Sequence, residues 1–521
     1  MDFLNLPQTD AKVKPAFTDA ASCARWISQF QLTDIRLAHQ TLSKKLWELN
    51  HAQLAPLDRL KITEQLREVV GIVQSGYARK IVGKPLPLNE IEAQIFDEIV
   101  LLWEAVVVSY GHCLDAGTKG DARHLALICQ RCLRYTGAQI VENMRLSHQV
   151  DAGLWLQFFR LYKFSEEAGF ASLPVLESLK LHPGPSSCAD YFVRTLLIGQ
   201  ADPYEIQRSQ FDIVSRWVDE WLSMVSISKE MPRSAKLSPP IPVDLDAARC
   251  VSPSGGTNMR YLDTVELGKH LKIQIALLEQ GKTPDQLGLG ELPSETCLAL
   301  VQRLQRCWCE GKVARTFETR SISHSTEVCS GLPAVHHYLS GKPFSQPGTE
   351  SKLSKKQHEE IRIFGRVISK EEREAGVEME SWAVQDETSK GYSLIRKDKG
   401  MRVSPGHIVG IKSNERFSPC VIRWVIEGLD GSVNMGLTLL EGRAEAVAVR
   451  QTGINLTVSS KYVQAVLLHH GEKQSLVMPK GWYLRNRVVE IRDKDNLSME
   501  LKLTELLGKG ADYERAAVIQ L

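Results

Sequence analysis

The sequence has almost no net charge. Its 64 Lys and Arg residues are balanced by 62 Asp and Glu residues over a length of 521 residues. Proteins that coat nucleic acid or an anionic membrane surface carry a clear basic excess or a basic stripe. We therefore expect no nucleic-acid partner, and any anionic ligand must be bound by a local cluster of cations.

Long apolar runs are absent as well. Residues 1–7 contain no basic segment followed by an apolar one, which predicts that there is no signal peptide. The longest apolar run, residues 99–108, is interrupted by Glu104 and is shorter than the roughly 18 residues of a membrane span. We therefore expect a cytoplasmic protein without membrane insertion.

Cysteine and histidine do not form a readable metal or disulfide pattern. The 11 cysteines are an odd, scattered set, which favours reduced thiols. Cys129 and Cys132 form a lone Cys-x-x-Cys without the second pair of a zinc site, so we interpret them as buried structural thiols. Adjacent histidines occur at 336–337 and 469–470, and neighbours on a strand face opposite sides. No metal is predicted.

Motifs of the common enzyme classes are also missing. There is no Gly-x-x-x-x-Gly-Lys-(Ser/Thr) phosphate loop, no Gly-x-Ser-x-Gly elbow and no His-Glu-x-x-His helix. The sequence therefore predicts a protein that is not an enzyme and uses no cofactor.

The N-terminal half has the apolar spacing of helices. Between Thr33 and Ile227, apolar residues recur every three or four positions, as at Leu42, Leu46 and Leu49. This spacing predicts an all-helical domain of roughly six to eight helices over residues 1–228. Proline then becomes frequent in residues 229–260, which predicts an extended linker rather than packed structure. Residues 261–312 are predicted to form a helical connector.

Beyond residue 313 the apolar period changes to two. Residues 315–338 alternate and predict a first strand, and further short strands follow between turn signals. We predict a β-barrel over residues 313–450, with a flexible, breaker-rich insertion at 341–360. Residues 451–521 are predicted to form either added strands or a second small barrel. The predicted fold class is therefore multidomain α+β, with an all-α domain followed by an all-β part.

One turn in the strand half has a distinctive composition, and we call residues 386–391 the Asp-Thr-Gly turn. It has the form Asp386-x-Thr388-x-x-Gly391. The Asp and Thr side chains can bond nearby backbone N–H groups, and Gly can adopt a positive φ. Alternation on both sides predicts two half-buried strands, with inward side chains at Trp382, Val384, Tyr392 and Leu394.

This turn resembles the (Asp/Asn)-x-Ser-x-x-Gly motif of PilZ domains, the small β-barrels that bind cyclic di-GMP in bacteria. Arg362-x-x-x-Arg366 is similar to the family's other motif and precedes the turn. Residues 421–424 and 435–437 resemble the strand pair that follows in PilZ barrels. The resemblance covers about a fifth of the chain and implies that the C-terminal part contains a PilZ-like barrel.

The resemblance also implies a ligand and its site. Arg362 and Arg366 would clamp cyclic di-GMP, because a guanidinium offers paired donors to phosphate and a flat face to guanine. The Asp-Thr-Gly turn, with Asp386, Thr388, Ser389 and Gly391, would line the guanine, with Thr388 where the family usually carries Ser.

A second arginine pair leaves the clamp undecided. Arg315 and Arg320 lie just before residues 321–330, the part of the alternating segment expected to form the first strand, with a spacing one residue longer than the family motif. Either pair is a candidate if residues 341–360 are an insertion into the barrel.

Two functions of different kinds follow. In the first, the protein is a cytoplasmic cyclic di-GMP receptor whose helical domain transmits nucleotide binding to an unidentified protein partner. In the second, it is a protein-interaction scaffold whose degenerate PilZ-like barrel binds no nucleotide. A nucleic-acid-binding barrel is disfavoured by the neutral charge balance.

Overall fold

The structure is a computed structural model with two compact units. It describes residues 2–116, 121–179, 184–233, 238–250, 256–311, 320–347, 377–413, 416–452 and 461–521. The first unit comprises Met1–Lys84 and Leu88–Ala314, and the second comprises Pro85–Pro87 and Arg315–Leu521. Over the described ranges, no helix combines the length and the apolar character that crossing a bilayer requires.

The first unit is mainly helical. Its described helices are α1 (Ala20–Ser28), α2 (Ile35–His51), α3 (Pro56–Ala78), α4 (Glu90–Ala116), α5 (Ala122–Arg145), α6 (Ala152–Glu167), α7 (Cys188–Gln200), α8 (Arg208–Trp221), α9 (Val265–Glu279) and α10 (Ser294–Cys309). Side-chain caps define where several helices begin. At the start of α2, the Asp34 carboxylate accepts hydrogen bonds from first-turn N–H groups, with 3.0 Å between Arg36 N and Asp34 Oδ1. The predicted helical N-terminal domain is confirmed.

The core of this unit extends beyond residue 228. Trp217 of α8 and Trp308 of α10 are both buried in the same cluster, and the Trp308 indole donates to the Leu197 carbonyl at 2.9 Å. The segment that we predicted as a connector (261–312) therefore packs α9 and α10 into the helical core. Its apolar stripe, which includes Leu300 and Leu304, is too buried to be a solvent-exposed spacer.

The prediction of an extended linker at 229–260 is wrong in part. A four-stranded sheet forms there in the order β3-β6-β4-β5. Its strands are β3 (Ser226–Ser228), β4 (Ile241–Asp244), β5 (Arg249–Cys250) and β6 (Met259–Asp263), after a small hairpin of β1 (Val175–Glu177) and β2 (Gly184–Ser186). Ile241 and Val243 flank Pro242 and are buried in the helical core. Their burial fixes a proline-containing segment that composition alone assigns to a linker.

The second unit contains two closed barrels. The first consists of β7 (Arg320–Ser330), β8 (Glu380–Thr388), β9 (Gly391–Arg396), β10 (Ile408–Ser413), β11 (Arg416–Glu427) and β12 (Val433–Leu439). The second consists of β13 (Arg443–Gln451), β14 (Val463–His470), β15 (Lys473–Pro479), β16 (Val488–Arg492), β17 (Ser498–Lys509) and β18 (Tyr513–Gln520). The predicted fold class is confirmed, and of the two alternatives for the C-terminus the chain forms a second barrel.

Strand pairing moves the border between the barrels. β13 pairs with β14 and β16, so residues 443–450, which we assigned to the first barrel, belong to the second. The barrels share an apolar cluster around helix α11 (Leu332–Ser340), with Val335 between them. They are also joined by hydrogen bonds, including Ile408 N–H to Asp512 Oδ1 at 3.0 Å.

Two predictions near α11 are corrected. The alternation at 315–338 predicted a strand throughout, but the strand ends at Ser330 and α11 begins at Leu332. Gly331 lies between them at a φ of 88°, which favours glycine and turns the chain out of the sheet. The predicted flexible insertion also begins with ordered chain: the Gln346 amide donates to Tyr462 O at 2.8 Å and accepts from Tyr462 N–H at 3.0 Å. The rest of that insertion, from residue 348, lies outside the described residues.

Candidate functional site

The Asp-Thr-Gly turn connects β8 to β9 in the first barrel. Thr388 pairs with Gly391 across the hairpin, and the Thr388 hydroxyl accepts the Lys390 N–H at 3.3 Å. The prediction that Thr388 bonds a nearby backbone N–H is confirmed. Threonine thus stabilises the turn locally, as serine and threonine commonly do.

Gly391 is required for a different reason from the one predicted. We expected a positive φ, but Gly391 does not have one. An added Cβ would lie 1.9 Å from the Leu437 carbonyl oxygen on β12. Because that neighbour is backbone in a paired strand, it cannot rotate away. The glycine allows β9 and β12 to approach closely beside the turn.

The strands flanking the turn bury the predicted face. Trp382, Val384 and Leu394 are at most 3% exposed, as predicted, while Tyr392 is half-buried. Burial raises the pKa of the Tyr392 hydroxyl. The phenol therefore stays neutral close to the turn, where it can donate or accept hydrogen bonds.

Of the four candidate arginines, the structure describes only the main chain of Arg320. Arg320 opens β7 and is paired with Glu387 of β8, and the next residue, Ser321, is paired with Asp386. The start of β7 and the Asp-Thr-Gly turn are therefore neighbours in the sheet. The other three candidates lie outside the described residues: Arg315, Arg362 and Arg366.

The described hairpin itself is not basic. Within the turn, Lys390 is the cation and pairs with the exposed carboxylate of Glu441 at 3.5 Å, while Asp386 and Glu387 add two carboxylates. An anion at this turn would meet carboxylates unless further cations were brought to it. Cations from outside the turn would therefore favour phosphate binding here.

A buried ionic cluster in the helical unit was missed by sequence reasoning. The Glu177 carboxylate, fully buried, accepts from Arg67 at 2.6 and 2.7 Å and from Arg131 at 2.7 Å, and it also pairs with Arg134. Glu64 pairs with Arg67 and Arg131 from the other side. Because Arg67 and Glu177 are 110 residues apart, no local pattern could have indicated the contact.

The cysteines behave as structural residues. Cys129 and Cys132 are buried on α5, which confirms the predicted burial, and burial raises the pKa of both thiols well above the ordinary range. Within the part of the chain that the structure describes, His, Cys, Asp and Glu side chains form no cluster of three or more that could hold a metal ion.

Comparison with known proteins agrees with the motifs. Residues 21–233 match the family model described as cyclic-di-GMP receptor FimW, N-terminal domain, and residues 248–381 match its middle PilZ domain. The chain is similar to the cyclic-di-GMP receptor FimW of Pseudomonas aeruginosa, with 22% identity over 497 residues, covering 85% of this chain and 80% of that protein.

The PilZ match contains both arginine pairs and ends before Asp386. It begins ahead of the barrel, so it includes α9 and α10 as well as β7. The recognition made from the two motifs is confirmed. The chain is a PilZ-domain protein with a helical N-terminal domain.

Proposed function

We propose that this protein is a cytoplasmic receptor for cyclic di-GMP. The observation that carries the proposal is the pairing of the start of β7 with β8, which brings Arg320 beside the Asp-Thr-Gly turn. The last residue of one candidate arginine pair and the Asp-Thr-Gly turn are thereby neighbours on a closed barrel. The similarity to a protein described as a cyclic-di-GMP receptor supports the same ligand.

The arginine clamp supplies the charge that the hairpin lacks. We propose Arg315 and Arg320 as the clamp because Arg320 is the first residue of the strand that pairs with β8, and Arg315 lies five residues before it. The five intervening steps of chain reach at most about 17 Å, so Arg315 stays within range of a ligand at the turn. Arg362 and Arg366 fit the family spacing better and are the alternative pair.

The turn would contribute recognition rather than charge. In our proposal the Asp386 carboxylate accepts from the guanine edge, and the hydroxyls of Thr388 and Ser389 provide further hydrogen bonds. Gly391 cannot carry a side chain without striking the Leu437 carbonyl, so it preserves the surface on which the base lies. These roles involve binding and no bond cleavage, and cyclic di-GMP should be recovered intact after prolonged incubation.

Calorimetric titration with cyclic di-GMP tests the receptor and its clamp together. The variants are Arg315→Ala/Arg320→Ala and Arg362→Ala/Arg366→Ala. Loss of two charge-assisted contacts should weaken binding by about 100-fold or more in the pair that forms the clamp. The matched control, Lys473→Ala/Arg485→Ala, removes two exposed cations from the second barrel and should leave the affinity unchanged.

The outcomes separate the two functions. Binding that is lost in one double variant supports a receptor and identifies its clamp. No binding by the folded wild-type protein would refute the receptor and favour a scaffold with a degenerate barrel. Equal binding by both double variants would place the ligand elsewhere and refute the proposed site.

We propose further that binding is transmitted to a protein partner through the helical domain. A ligand can shift an equilibrium only by its differential affinity for two states. Hydrogen exchange with and without cyclic di-GMP should therefore change in peptides of the helical unit as well as at β8 and β9. Changes confined to the barrel would refute transmission.

A further inference from the structure

The helical unit carries a groove of about 1060 Å³, which we call the α3–α5 groove. Residues of α3 line one wall, and residues of α5 and α7 line the other. Helix α4 packs against both α3 and α5, and its Trp103 lines the groove between them. Because packed helices lie about 8–10 Å apart, two helices that flank a third leave room beside it for one more helix.

The groove has an apolar lining that the rest of the helical unit does not cover. Ile72 is 47% exposed and Leu32 is 39% exposed, although both are large apolar side chains. Trp103 is half-buried and stacks on Tyr135 with 5.6 Å between the ring centres, which fixes the position of the indole. A fixed aromatic side chain among exposed apolar ones is typical of the centre of a protein interface.

The α3 wall presents one stripe of side chains along the groove. Its members include Glu68, Ile72, Ser75 and Arg79. Their spacings of four, three and four place them on one face of α3, over a length of about 16 Å or three helical turns. Gly71 lies beside this stripe, and a Cβ added there would meet nothing within 4 Å. An occupying helix can therefore approach the α3 main chain closely.

Most charged groups of the groove already have partners within the helical unit. The pairs are Arg67–Glu177, Arg134–Glu177, Arg194–Asp219 and Glu142–Arg145. These groups offer little further charge to a partner, because each one is already compensated.

Two carboxylates of the groove are open to a partner. Glu68 on α3 and Glu220 on α8 are exposed, and among the described residues neither makes an ion pair. Arg79, at the far end of the α3 stripe, is likewise exposed and makes no ion pair within the described ranges. The uncompensated charge of the groove is therefore negative, which favours a partner with basic side chains.

We propose that the α3–α5 groove binds an amphipathic α-helix of a partner protein, with Lys or Arg beside its apolar face. This inference rests on the proposed transmission to a protein partner through the helical domain, and it assigns the partner's binding segment. Apolar side chains at helical spacing pack on Trp103 and Ile72, and basic side chains pair with Glu68 and Glu220. About 11 residues of helix span the α3 stripe.

Selection from a display library of random peptides of about 16 residues, with the full chain as bait, tests this assignment. Enriched peptides should carry apolar residues at i, i+3 or i+4, and i+7, with more Lys and Arg than Asp and Glu. One enriched peptide is then labelled, and its affinity for the full chain is measured by fluorescence anisotropy.

Two variants block the groove without removing a core side chain. Gly71→Leu adds a side chain in open space and replaces a glycine inside α3, so the fold is kept and the groove is filled. Ile72→Glu places a charge on the apolar lining. Each should weaken peptide binding at least about tenfold. The matched control, Ile273→Glu, changes an isoleucine of α9 that is 58% exposed and should leave the affinity unchanged.

Charge reversal tests the preference for basic side chains. Glu68→Lys/Glu220→Lys should weaken binding of the enriched peptide about tenfold or more. A second peptide, in which Glu replaces every Lys and Arg, should bind this double variant more tightly than it binds the wild-type protein. The same order of affinities in both proteins would refute the charge assignment.

Three results would overturn the groove as a helix site. They are enriched peptides without a helical pattern, equal peptide binding by Gly71→Leu and the wild-type protein, and self-association in analytical ultracentrifugation that Gly71→Leu abolishes. The last would show that a second copy of this chain occupies the groove.

Anisotropy with and without cyclic di-GMP separates this site from the proposed function. A peptide affinity that cyclic di-GMP does not change would refute transmission and leave the helix site in place. A protein that binds cyclic di-GMP but no peptide in either state would refute the helix site and leave the receptor in place.

Discussion

Replacing Glu177 with Gln should destabilise the helical unit strongly. The substitution keeps the shape of the side chain and removes its charge. Arg67 and Arg131 then keep only the carboxylate of Glu64, and Arg134 loses the carboxylate with which it was paired. Breaking a buried ion pair by removing one partner is costly because the other charge stays buried without compensation.

The size of the expected loss of stability follows from the pKa of Glu177. Burial by itself raises that pKa, but the neighbouring guanidinium groups, that of Arg134 foremost, outweigh it and lower the pKa from 4.5 to about 2. The difference corresponds to about 3 kcal/mol of stability at neutral pH. Since the folded-state pKa is the lower one, this stability is present above about pH 4.5 and is lost as the pH falls toward 2.

Scanning calorimetry at pH 7 measures the effect. We expect Glu177→Gln to lower the thermal unfolding midpoint of the helical unit by about 5 °C. The matched control is Glu266→Gln, which removes an exposed carboxylate 2.7 Å from Lys269 on α9 and should cost less than about 0.5 kcal/mol. The wild-type protein should lose stability between pH 4.5 and 2 more steeply than the variant.

An equal, small shift in both variants would refute the reasoning. It would mean that the ionic cluster around Glu177 contributes no more to folding stability than an exposed ion pair does. A variant as pH-dependent as the wild-type protein would show that another group is responsible for the acid lability.

Four shorter predictions concern the barrels. Gly391→Ala should cost at least about 2 kcal/mol in denaturant unfolding because its Cβ would lie 1.9 Å from the Leu437 carbonyl. Gly431→Ala, at a φ of 76° with no neighbour within 4 Å, should cost about 1 kcal/mol. Glu490, whose pKa is lowered to about 2, should make the second barrel lose stability as the pH falls from 4.5 toward 2, and Glu490→Gln should flatten that dependence. Gln346→Ala should speed amide exchange at the start of β14, and unchanged exchange would contradict its bonds there.

Local alternation explains what could be predicted from the sequence. Trp382 and Val384 are two residues apart on a strand, so their shared burial follows from the pleat alone. The same argument holds for the helical spacing of Leu42, Leu46 and Leu49, all fully buried. Such patterns are local, and neither depends on which other element supplies the core.

The sequence predictions that were wrong have a common cause. In each case the structure depends on contacts with residues far away in the sequence. Val243 is buried because the helical core is adjacent, although the prolines around it are typical of a linker. His336 continues an alternating pattern, yet Gly331 and Pro333 start a helix before it. The helix that contains His336 packs against β13, more than 100 residues further along the chain. Short-range patterns cannot place partners that are more than 100 residues away.

The arginine clamp shows how topology adds to a motif. In the sequence, Arg362 and Arg366 are nearest to Asp386 and have the family spacing, so proximity along the chain favours them. In the sheet, β8 pairs with β9 on one side and with β7 on the other. The strand that follows Arg315 and Arg320 is therefore adjacent to the turn, despite its greater distance in sequence. A site on a barrel is assembled by strand neighbours, and this is why we rank the earlier pair first and test both.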